Sequence, residues 1–352
     1  MTRSESTGLP PRESPPTPTS LVSPDVPLES LVFDAEQLMA EHPPVLHDRN
    51  KQVVFDIACP TGCKHRGRIA YAQWPELALP ARVVPSLAVA RVDVHEGIFD
   101  YVPSALANAF EWHVNFADPN LFGAYGSALF AQDEMQVAEH PVLGALREAL
   151  KHRKLNIGTM SKRYRPTPVL VIGAERRCQV AVDANAAEGR PAGLYGRAFG
   201  SASVDAVRRA TTRIDPPTRS NIIAMAAPYG MSGRYHPKDI EFVLVTAYSA
   251  FRAAVITSTV PGNAPVVVHT GYWGCGAFGG NRVLMTLLQV VAAQLAGVSA
   301  LVFYTVTSAG RAECDLALEK LRRTFGDEEL ETADFVARVA AMGFRWGTSD
   351  GN

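Results

Sequence analysis

The feature that most constrains this chain is a regular alternation of continuous apolar runs and amphipathic segments through its middle. Runs without polar alternation, each with the length of a buried strand, lie at residues 110–117, 168–172, 221–225, 265–269 and 300–304. Apolar residues recur at spacings of three and four, as in helices, at residues 137–151, 237–257, 282–296 and 311–325. Strands of this kind alternating with helices favour a sheet that is covered on both faces. The sequence therefore predicts an α/β fold.

Composition divides the 352 residues into four regions. Residues 1–28 are rich in Pro, Ser and Thr, so they bury too little apolar surface to offset the entropy of ordering, and we predict a disordered tail. Residues 29–109 have a mixed pattern and are predicted to form an accessory N-terminal region. The alternating pattern occupies residues 110–325, the main domain. Residues 326–352 are predicted to add a C-terminal helix and a tail that is as loose as the N-terminal one.

Charge and cysteine content argue against several classes of protein. The 34 Lys and Arg residues nearly balance the 35 Asp and Glu residues, so no basic excess points to nucleic acid. The five cysteines are odd in number and widely spaced, which argues against a secreted disulfide framework. No apolar run approaches the roughly 18 to 20 residues of a membrane span, and the N-terminus lacks the apolar core of a signal peptide. We therefore predict a cytoplasmic protein without a membrane partner.

A glycine-rich loop follows the run at residues 265–269 and precedes the helix at 282–296. Its five glycines are Gly271, Gly274, Gly276, Gly279 and Gly280. Glycines bring backbone N–H groups close to a ligand, and a helix start adds its positive dipole end, so the loop suits a phosphate or diphosphate.

Two other interpretations of this loop stay open. Residues 274–279 satisfy G-x-G-x-x-G, the dinucleotide-binding pattern, but the loop is long and no acid follows the next strand to bind a ribose hydroxyl. The loop could also be a glycine turn that packs Trp273 and Phe278 into a core.

A second candidate site lies at residues 132–134, where Gln132, Asp133 and Glu134 end a long stretch of apolar and small residues. The two acids could be the solvated start of a helix, where negative charge favours the N-terminal dipole. A carboxyl group beside an apolar wall is also what a general acid needs, because desolvation raises its pKa. The sequence alone leaves both interpretations open.

Taken together, these segments resemble the poly(ADP-ribose) glycohydrolase family. Family members carry VDFAN, then GGG, then QEE, and this chain has VNFAD at residues 114–118, FGA at 122–124 and QDE at 132–134. The family's second signature, TGNWGCGAFGG, appears as TGYWGCGAFGG at residues 270–280. A weaker similarity is TAYSAF at residues 246–251. The resemblance covers residues 110–306.

The resemblance implies a macrodomain-like mixed sheet flanked by helices and hydrolysis of the ribosyl glycosidic bond in poly- or mono-ADP-ribose conjugates. It gives Glu134 the role of general acid and base, with Asp133 as the second catalytic candidate, because bond breaking through an oxocarbenium-like state needs one positioned carboxyl group. The implied partner is ADP-ribose, or an ADP-ribosylated protein or other acceptor, and no cofactor or metal is needed. The implied substrate-binding residues are Asn115, Asp118, Phe122, Gly123, Gln132, Gly271, Tyr272, Trp273, Gly274, Cys275, Gly276, Ala277, Phe278 and Gly279.

Departures from the family pattern bear on the substrate. Phe122 stands where the family has a glycine, so its ring is expected to narrow the cleft and restrict cleavage to chain ends or single ADP-ribose units, unless the ring packs into the core. Asp133 is one methylene shorter than the usual Glu, and Asn115 and Asp118 exchange the family's Asp and Asn. The alternative function is therefore an ADP-ribose-binding module with weak or no turnover, and a nucleotide-dependent oxidoreductase is a third possibility.

Three further groups of residues have a structural interpretation as well as a functional one. Cys59, Cys63 and His65 could bind zinc, but a structural site needs four ligands and no second pair follows, so a loop with buried thiols is expected. His113 and His269 are expected to be core histidines with satisfied hydrogen bonds. The cluster at residues 176–177, two arginines, could contact a phosphate.

Overall fold

The computed structural model describes residues 25–86, 91–258 and 264–351. The strands are β1 (Glu29–Asp34), β2 (Arg68–Gln73), β3 (Arg82–Val83), β4 (Arg91–His95), β5 (Phe110–Phe116), β6 (Val169–Val180), β7 (Thr211–Met225), β8 (Val266–Gly271), β9 (Ala300–Tyr304) and β10 (Leu330–Glu331). The helices are α1 (Ala35–Glu41), α2 (Arg49–Ala58), α3 (Gln132–Glu139), α4 (Pro141–His152), α5 (Ala198–Ser201), α6 (Val204–Ala210), α7 (Pro237–Ser258), α8 (Arg282–Ala296), α9 (Ser308–Thr324) and α10 (Thr332–Ala341).

Eight of the strands form one mixed sheet in the order β1-β2-β6-β7-β5-β8-β9-β4. Neighbours from β1 to β7 in this order pair antiparallel, whereas β7, β5, β8, β9 and β4 run parallel. The short strands β3 and β10 pair separately. This architecture confirms the predicted fold class, a mixed α/β sheet flanked by helices.

Apolar cores fill both faces of the sheet, which explains why its central strands lack polar alternation. On one face, Trp112 and Val114 of β5 pack with α7 and α8 in the largest cluster. On the other face, Ile222 of β7 packs with residues of α1 and α4, among them Leu38 and Leu146.

Helix α7 has the length and composition of a membrane span, with a mean hydropathy of 1.5 over its most apolar window. However, 67% of that window is buried inside the protein, as is usual for a core helix. The apolar character of α7 therefore has a sufficient explanation in the packing of the core.

The structure has two helices where the sequence predicts one continuous helix at residues 137–151. Helix α3 ends at Glu139, His140 has φ −122° and ψ 73°, and Pro141 occupies the first position of α4. Proline has no N–H to donate to the preceding turn and restricts the residue before it, so the chain starts a new helix there.

Residues 29–109, which the sequence predicts as an accessory N-terminal region, contribute strands to the main sheet. Strands β1 and β2 extend the main sheet at one edge, and β4 closes the other edge by pairing with β9. The tail predicted at residues 1–28 lies outside the described residues up to position 24. Leu28 already belongs to the fold, because its N–H donates to the carbonyl oxygen of Gln73 at 2.7 Å.

Candidate active site

The glycine loop and the acidic segment meet at the carboxyl ends of β5, β7 and β8. These strands are parallel neighbours, so their ends lie at the same edge of the sheet. A Cβ atom built on Gly271, at the end of β8, would lie 3.5 Å from Cζ of Phe116, at the end of β5. The indole Nε1 of Trp273 donates to the carbonyl oxygen of Met225, at the end of β7, at 2.9 Å.

Gln132 fixes the start of α3 against β5. Its side-chain Oε1 accepts from the N–H of Phe116 at 2.7 Å, and its Nε2 donates to the carbonyl oxygen of Val114 at 3.0 Å. The side chain thus replaces a neighbouring strand at this point. Its polar atoms are used within the fold, so Gln132 is a positioning residue for the two acids that follow it.

Asp133 and Glu134 are both buried, with exposed fractions of 6% and 4%. Asp133 Oδ1 accepts from Nδ2 of Asn115 at 3.1 Å, and Glu134 Oε2 accepts from the N–H of Ala131 at 3.1 Å. Burial raises the pKa of Asp133, and the neighbouring Glu134 carboxylate adds to the rise. Burial also raises the pKa of Glu134, which favours the protonated form that a general acid requires.

Lys51 is a site residue that the sequence analysis missed. It lies on α2, is buried, and its Nζ donates to the carbonyl oxygen of Tyr125 at 2.7 Å. Burial lowers the pKa of Lys51 to about 8, opposed by the charges of Glu134 and Asp133. In return, the positive charge of Lys51 opposes the rise in the pKa of Glu134.

The loop between β5 and α3 carries two predicted substrate-binding residues, Asp118 and Gly123, in different environments. Asp118 is exposed, and its backbone N–H donates to the carboxylate of Asp133. A Cβ atom on Gly123 would lie 2.9 Å from the carbonyl oxygen of Asn120, so the backbone there tolerates no side chain.

The ring of Phe122 packs into the core, which is the alternative that the sequence left open. Its side chain is fully buried and packs among apolar residues such as Leu121 and Val137. The backbone has φ +53°, a left-handed conformation that is uncommon for a bulky residue. Burial of the ring in the core holds the backbone in this conformation.

The glycine loop is a compact turn closed by its own backbone. The N–H of Gly279 donates to the carbonyl oxygen of Gly276 at 3.0 Å, and that of Gly280 to Gly274 at 2.8 Å. Gly274 has φ +75°, and a Cβ atom there would lie 2.5 Å from Cβ of Ala227. Gly274 is therefore required by both its conformation and its neighbour.

The side chains of this loop divide between the core and the rim. Tyr272 and Trp273 are buried, and the Tyr272 hydroxyl donates to the carbonyl oxygen of Gly310. Cys275 is half-buried, with Sγ 3.6 Å from the carbonyl oxygen of Trp273. Ala277 is exposed and Phe278 is half-buried beside the ring of Tyr229. Residues 276–278 thus form the accessible rim of the loop.

Residues 347–350, which we call the covering segment, lie directly on this rim. Trp346 stacks on Tyr235 with ring centroids 3.9 Å apart, and the N–H of Gly347 donates to the carbonyl oxygen of Gly279 at 2.7 Å. A Cβ atom on Gly276 would lie 2.9 Å from Oδ2 of Asp350. These residues, predicted as a loose tail, are exposed but hydrogen-bonded to the loop, and the carboxylate of Asp350 lies over the predicted phosphate loop.

Tyr195 connects the two halves of the site, and the sequence analysis missed it too. Its hydroxyl accepts from the backbone N–H of Gln132, and its side chain is close enough to Asp350 and Glu134 to feel both charges. Tyr195 is 43% exposed overall, but burial around its hydroxyl, followed by these charges, raises the pKa of Tyr195 to about 12. Flanking glycines at 193 and 196 mark a turn in the sequence, but no pattern there indicates a ligand contact.

The remaining sequence candidates have roles within the fold. His113 and His269 stack with ring centroids 4.3 Å apart, and Nε2 of His269 bonds to Oε2 of Glu111. Arg176 is buried, and its Nε donates to Oε2 of Glu139 at 2.8 Å, so its guanidinium group is paired within the fold.

A glycine loop and a buried carboxyl pair at the ends of neighbouring parallel strands define an α/β protein of the macrodomain type. Residues 169–313 match the family described as poly(ADP-ribose) glycohydrolase (PARG), macro domain fold. The match covers less than half of the chain and shows what this part of it is similar to. The matched residues begin at Val169, the first residue of β6, and include the glycine loop. Glu134 lies before them.

Solved structures that match this chain include two poly(ADP-ribose) glycohydrolases. The one from Thermomonospora curvata is 16% identical, with a TM-score of 0.43, and the match covers 83% of this chain and 85% of that one. The one from Deinococcus radiodurans, solved in complex with ADP-ribose, is 11% identical, with a TM-score of 0.39 and coverage of 84% and 94%. No curated protein sequence matches this chain.

Proposed function

We propose that this protein hydrolyses the ribosyl glycosidic bond of ADP-ribose conjugates and releases ADP-ribose, with Glu134 as general acid and base. The observation that carries the proposal is the position of Glu134. It is a buried carboxyl group with a raised pKa at the same sheet edge as the glycine loop.

In the proposed reaction, the diphosphate lies on residues 276–278 and the ribose extends toward the start of α3. Protonated Glu134 gives its proton to the leaving oxygen at the anomeric carbon, and the resulting carboxylate then takes a proton from the attacking water. Lys51 tunes this cycle, because its charge stabilises the carboxylate form that must exist between the two steps.

Asp133 is proposed as a positioning residue within this site. Its carboxyl group bonds to Asn115 and receives the N–H of Asp118, which ties the end of β5 to the start of α3. The side chain therefore fixes the acid segment relative to the strand that carries it.

The covering segment must leave before this reaction can occur. Asp350 lies over Gly276, where the proposal places a phosphate, and two anions cannot share that position. The segment is held to the loop by backbone hydrogen bonds, at 2.7 Å for Gly347 and 3.4 Å for Asp350, which a ligand would have to replace.

A second candidate function is an ADP-ribose-binding module with weak or no turnover. It is favoured by the use of Glu134 as a helix cap, because Oε2 already accepts the N–H of Ala131. A carboxyl group engaged in this way could be retained for the stability of α3 alone.

Incubation with poly(ADP-ribose) and with several mono-ADP-ribosylated acceptors distinguishes the two functions. Free ADP-ribose is measured for the wild type. Release from at least one conjugate supports the hydrolase, and comparison among the conjugates shows whether polymer or single units are preferred. Binding of ADP-ribose without release from any conjugate would favour the binding module, and absence of both would refute each proposal.

A further inference from the structure

Two cysteines and a histidine come together where α2 ends and the chain turns toward β2. Cys59 follows the last residue of α2, and the N–H of Cys63 donates to the carbonyl oxygen of Pro60 at 2.9 Å, which closes a tight turn. The Sγ atoms of Cys59 and Cys63 and a ring nitrogen of His65 all lie within 4.8 Å of one another. Among the described residues, this is the group of His, Cys, Asp and Glu side chains with metal-ligand spacing.

These distances are close to those of a tetrahedral zinc site. With Zn–S bonds of about 2.3 Å and Zn–N bonds of about 2.0 Å, two sulfur ligands lie about 3.8 Å apart, and a sulfur and a nitrogen about 3.5 Å apart. Nε2 of His65 is 3.8 Å from Sγ of Cys63. The three ligand atoms would need to move by no more than about 1 Å to bind one ion.

The orientation of His65 is that of a metal ligand. Nε2 faces the sulfur of Cys63, and Nδ1 faces Oε2 of Glu175 at 3.8 Å. The side chain is only 7% exposed, and Nδ1 has no hydrogen-bond partner among the described residues. Histidines that bind zinc through one ring nitrogen usually direct the other toward a carboxylate, which fixes the tautomer and the ring.

Neighbouring side chains hold this loop in place even without a metal ion. They also leave the site with no net charge once a zinc ion is bound. The N–H of His65 donates to Oε2 of Glu36 at 2.6 Å, and Arg177 donates to the carbonyl oxygen of Lys64. Arg177 is itself paired with Glu175 at 2.6 Å, so this buried pair is neutral. Two thiolates and one Zn²⁺ add no net charge, whereas two thiolates alone would leave the site negative.

We propose that Cys59, Cys63 and His65 bind one Zn²⁺ ion, with water in the fourth position. Two thiolates and an imidazole are a ligand set suited to zinc, and both cysteines are half-exposed, which leaves room for the water. The fourth ligand that the sequence lacks is thus supplied by solvent, and the expectation of a loop with buried thiols gives way to a metal site.

The ion would fix the end of the helix that carries Lys51. Cys59, the residue after the end of α2, lies eight residues beyond Lys51, about 12 Å along the helix axis. A zinc site at the end of α2 therefore stabilises the element that places a positive charge beside Glu134, and the effect is on stability and on the position of Lys51.

The test measures metal directly and needs no activity. Protein expressed with zinc in the medium is desalted, its zinc content is determined by mass spectrometry, and the apo protein is titrated with Co²⁺. We expect close to one zinc per chain and, with cobalt, the charge-transfer band of thiolate ligation in the near ultraviolet. Cys63→Ala and His65→Ala should each lose the zinc, whereas Cys314→Ala, which removes a buried thiol on α9, should keep it.

Apo protein should also melt several degrees lower than the zinc form, since binding to the folded state alone adds stability. Zinc below about one tenth of an equivalent, with no thiolate band on cobalt addition, would overturn the proposal. It would equally be overturned by a disulfide between Cys59 and Cys63 in freshly purified protein, or by variants lacking either ligand that retain full zinc. A cooperative melting transition of the wild type shows that the protein is folded, so none of these outcomes could be attributed to unfolding.

Discussion

Removal of the covering segment should tighten ADP-ribose binding, because the segment and the diphosphate compete for the same glycines. The perturbation is truncation after Trp346, which keeps the stack of Trp346 on Tyr235 and deletes the residues that contact Gly276 and Gly279. Asp350→Asn is the milder version, since it removes the charge and keeps the backbone bonds. Asp205→Asn, an exposed acid on α6, is the matched control.

The size of the effect follows from what the segment loses when it leaves. It has one good backbone hydrogen bond to the loop, from Gly347 at 2.7 Å, and one long bond, from Asp350 at 3.4 Å. A net contribution of about 0.5–1.5 kcal/mol for a hydrogen bond gives about 1–2 kcal/mol for the pair. Truncation should therefore lower the Kd for ADP-ribose about 5- to 30-fold.

Isothermal titration calorimetry of ADP-ribose against the wild type, the truncated protein and the two Asp variants measures this directly. Asp350→Asn should fall between the wild type and the truncated protein, and Asp205→Asn should equal the wild type. An unchanged Kd after truncation, with ADP-ribose still binding, would show that the segment does not cover the ligand site. Failure of every protein to bind ADP-ribose would instead refute the proposed function.

Three further predictions concern the loop and the acid segment. Gly274→Ala should lower stability by about 1–3 kcal/mol, because φ is +75° and Cβ would clash with Ala227. Gly230→Ala is the control, because Gly230 has φ +71° but no atom lies near its Cβ position. A loss of stability as large as that of Gly274→Ala would mean that the clash is unimportant. Burial raises the pKa of Asp133 above its ordinary 3.8, so the folded state binds a proton that the unfolded chain releases. The free energy of unfolding of the wild type therefore falls as the pH rises. Asp133→Asn should thus be more stable than the wild type by about 1–3 kcal/mol in urea unfolding at about pH 9, with a smaller gain at about pH 5; a pH-independent difference would contradict this account. Phe122→Gly should destabilise the fold by about 2–4 kcal/mol without changing the products released from polymer, and a widened substrate range without loss of stability would place the ring in the cleft after all.

Segments whose sequence carries both the apolar pattern and its end signals could be predicted closely. Helix α8 is the best case, because Asn281 caps its first turn through a bond to Leu284 and Gly297 ends it with φ +81°. The glycine loop was recognisable for the same reason: its conformation depends on residues that are adjacent in sequence. The break between α3 and α4 was missed although Pro141 was in view, since the apolar spacing continues across it.

The parts of the candidate site that were missed depend on contacts between distant segments. Lys51 gains its role from burial beside Tyr125 and Glu134, and a lysine on a short helix has no sequence signal for that. The covering segment binds mainly through backbone N–H groups, which every sequence possesses, so its composition predicts only a loose tail. Phe122 shows the opposite case: it departs from the family pattern, and its ring packs in the core.

The central claim is that Glu134 transfers the proton, and Glu134→Gln tests it most directly when binding and turnover are measured on the same preparations. Gln keeps the size of the side chain and its acceptor for the N–H of Ala131, so ADP-ribose affinity should stay within a few-fold. Release of ADP-ribose from the best conjugate should fall by about a hundredfold or more, the usual size of a lost general acid. Equal turnover in the variant and the wild type would contradict the account and assign the chemistry to another residue.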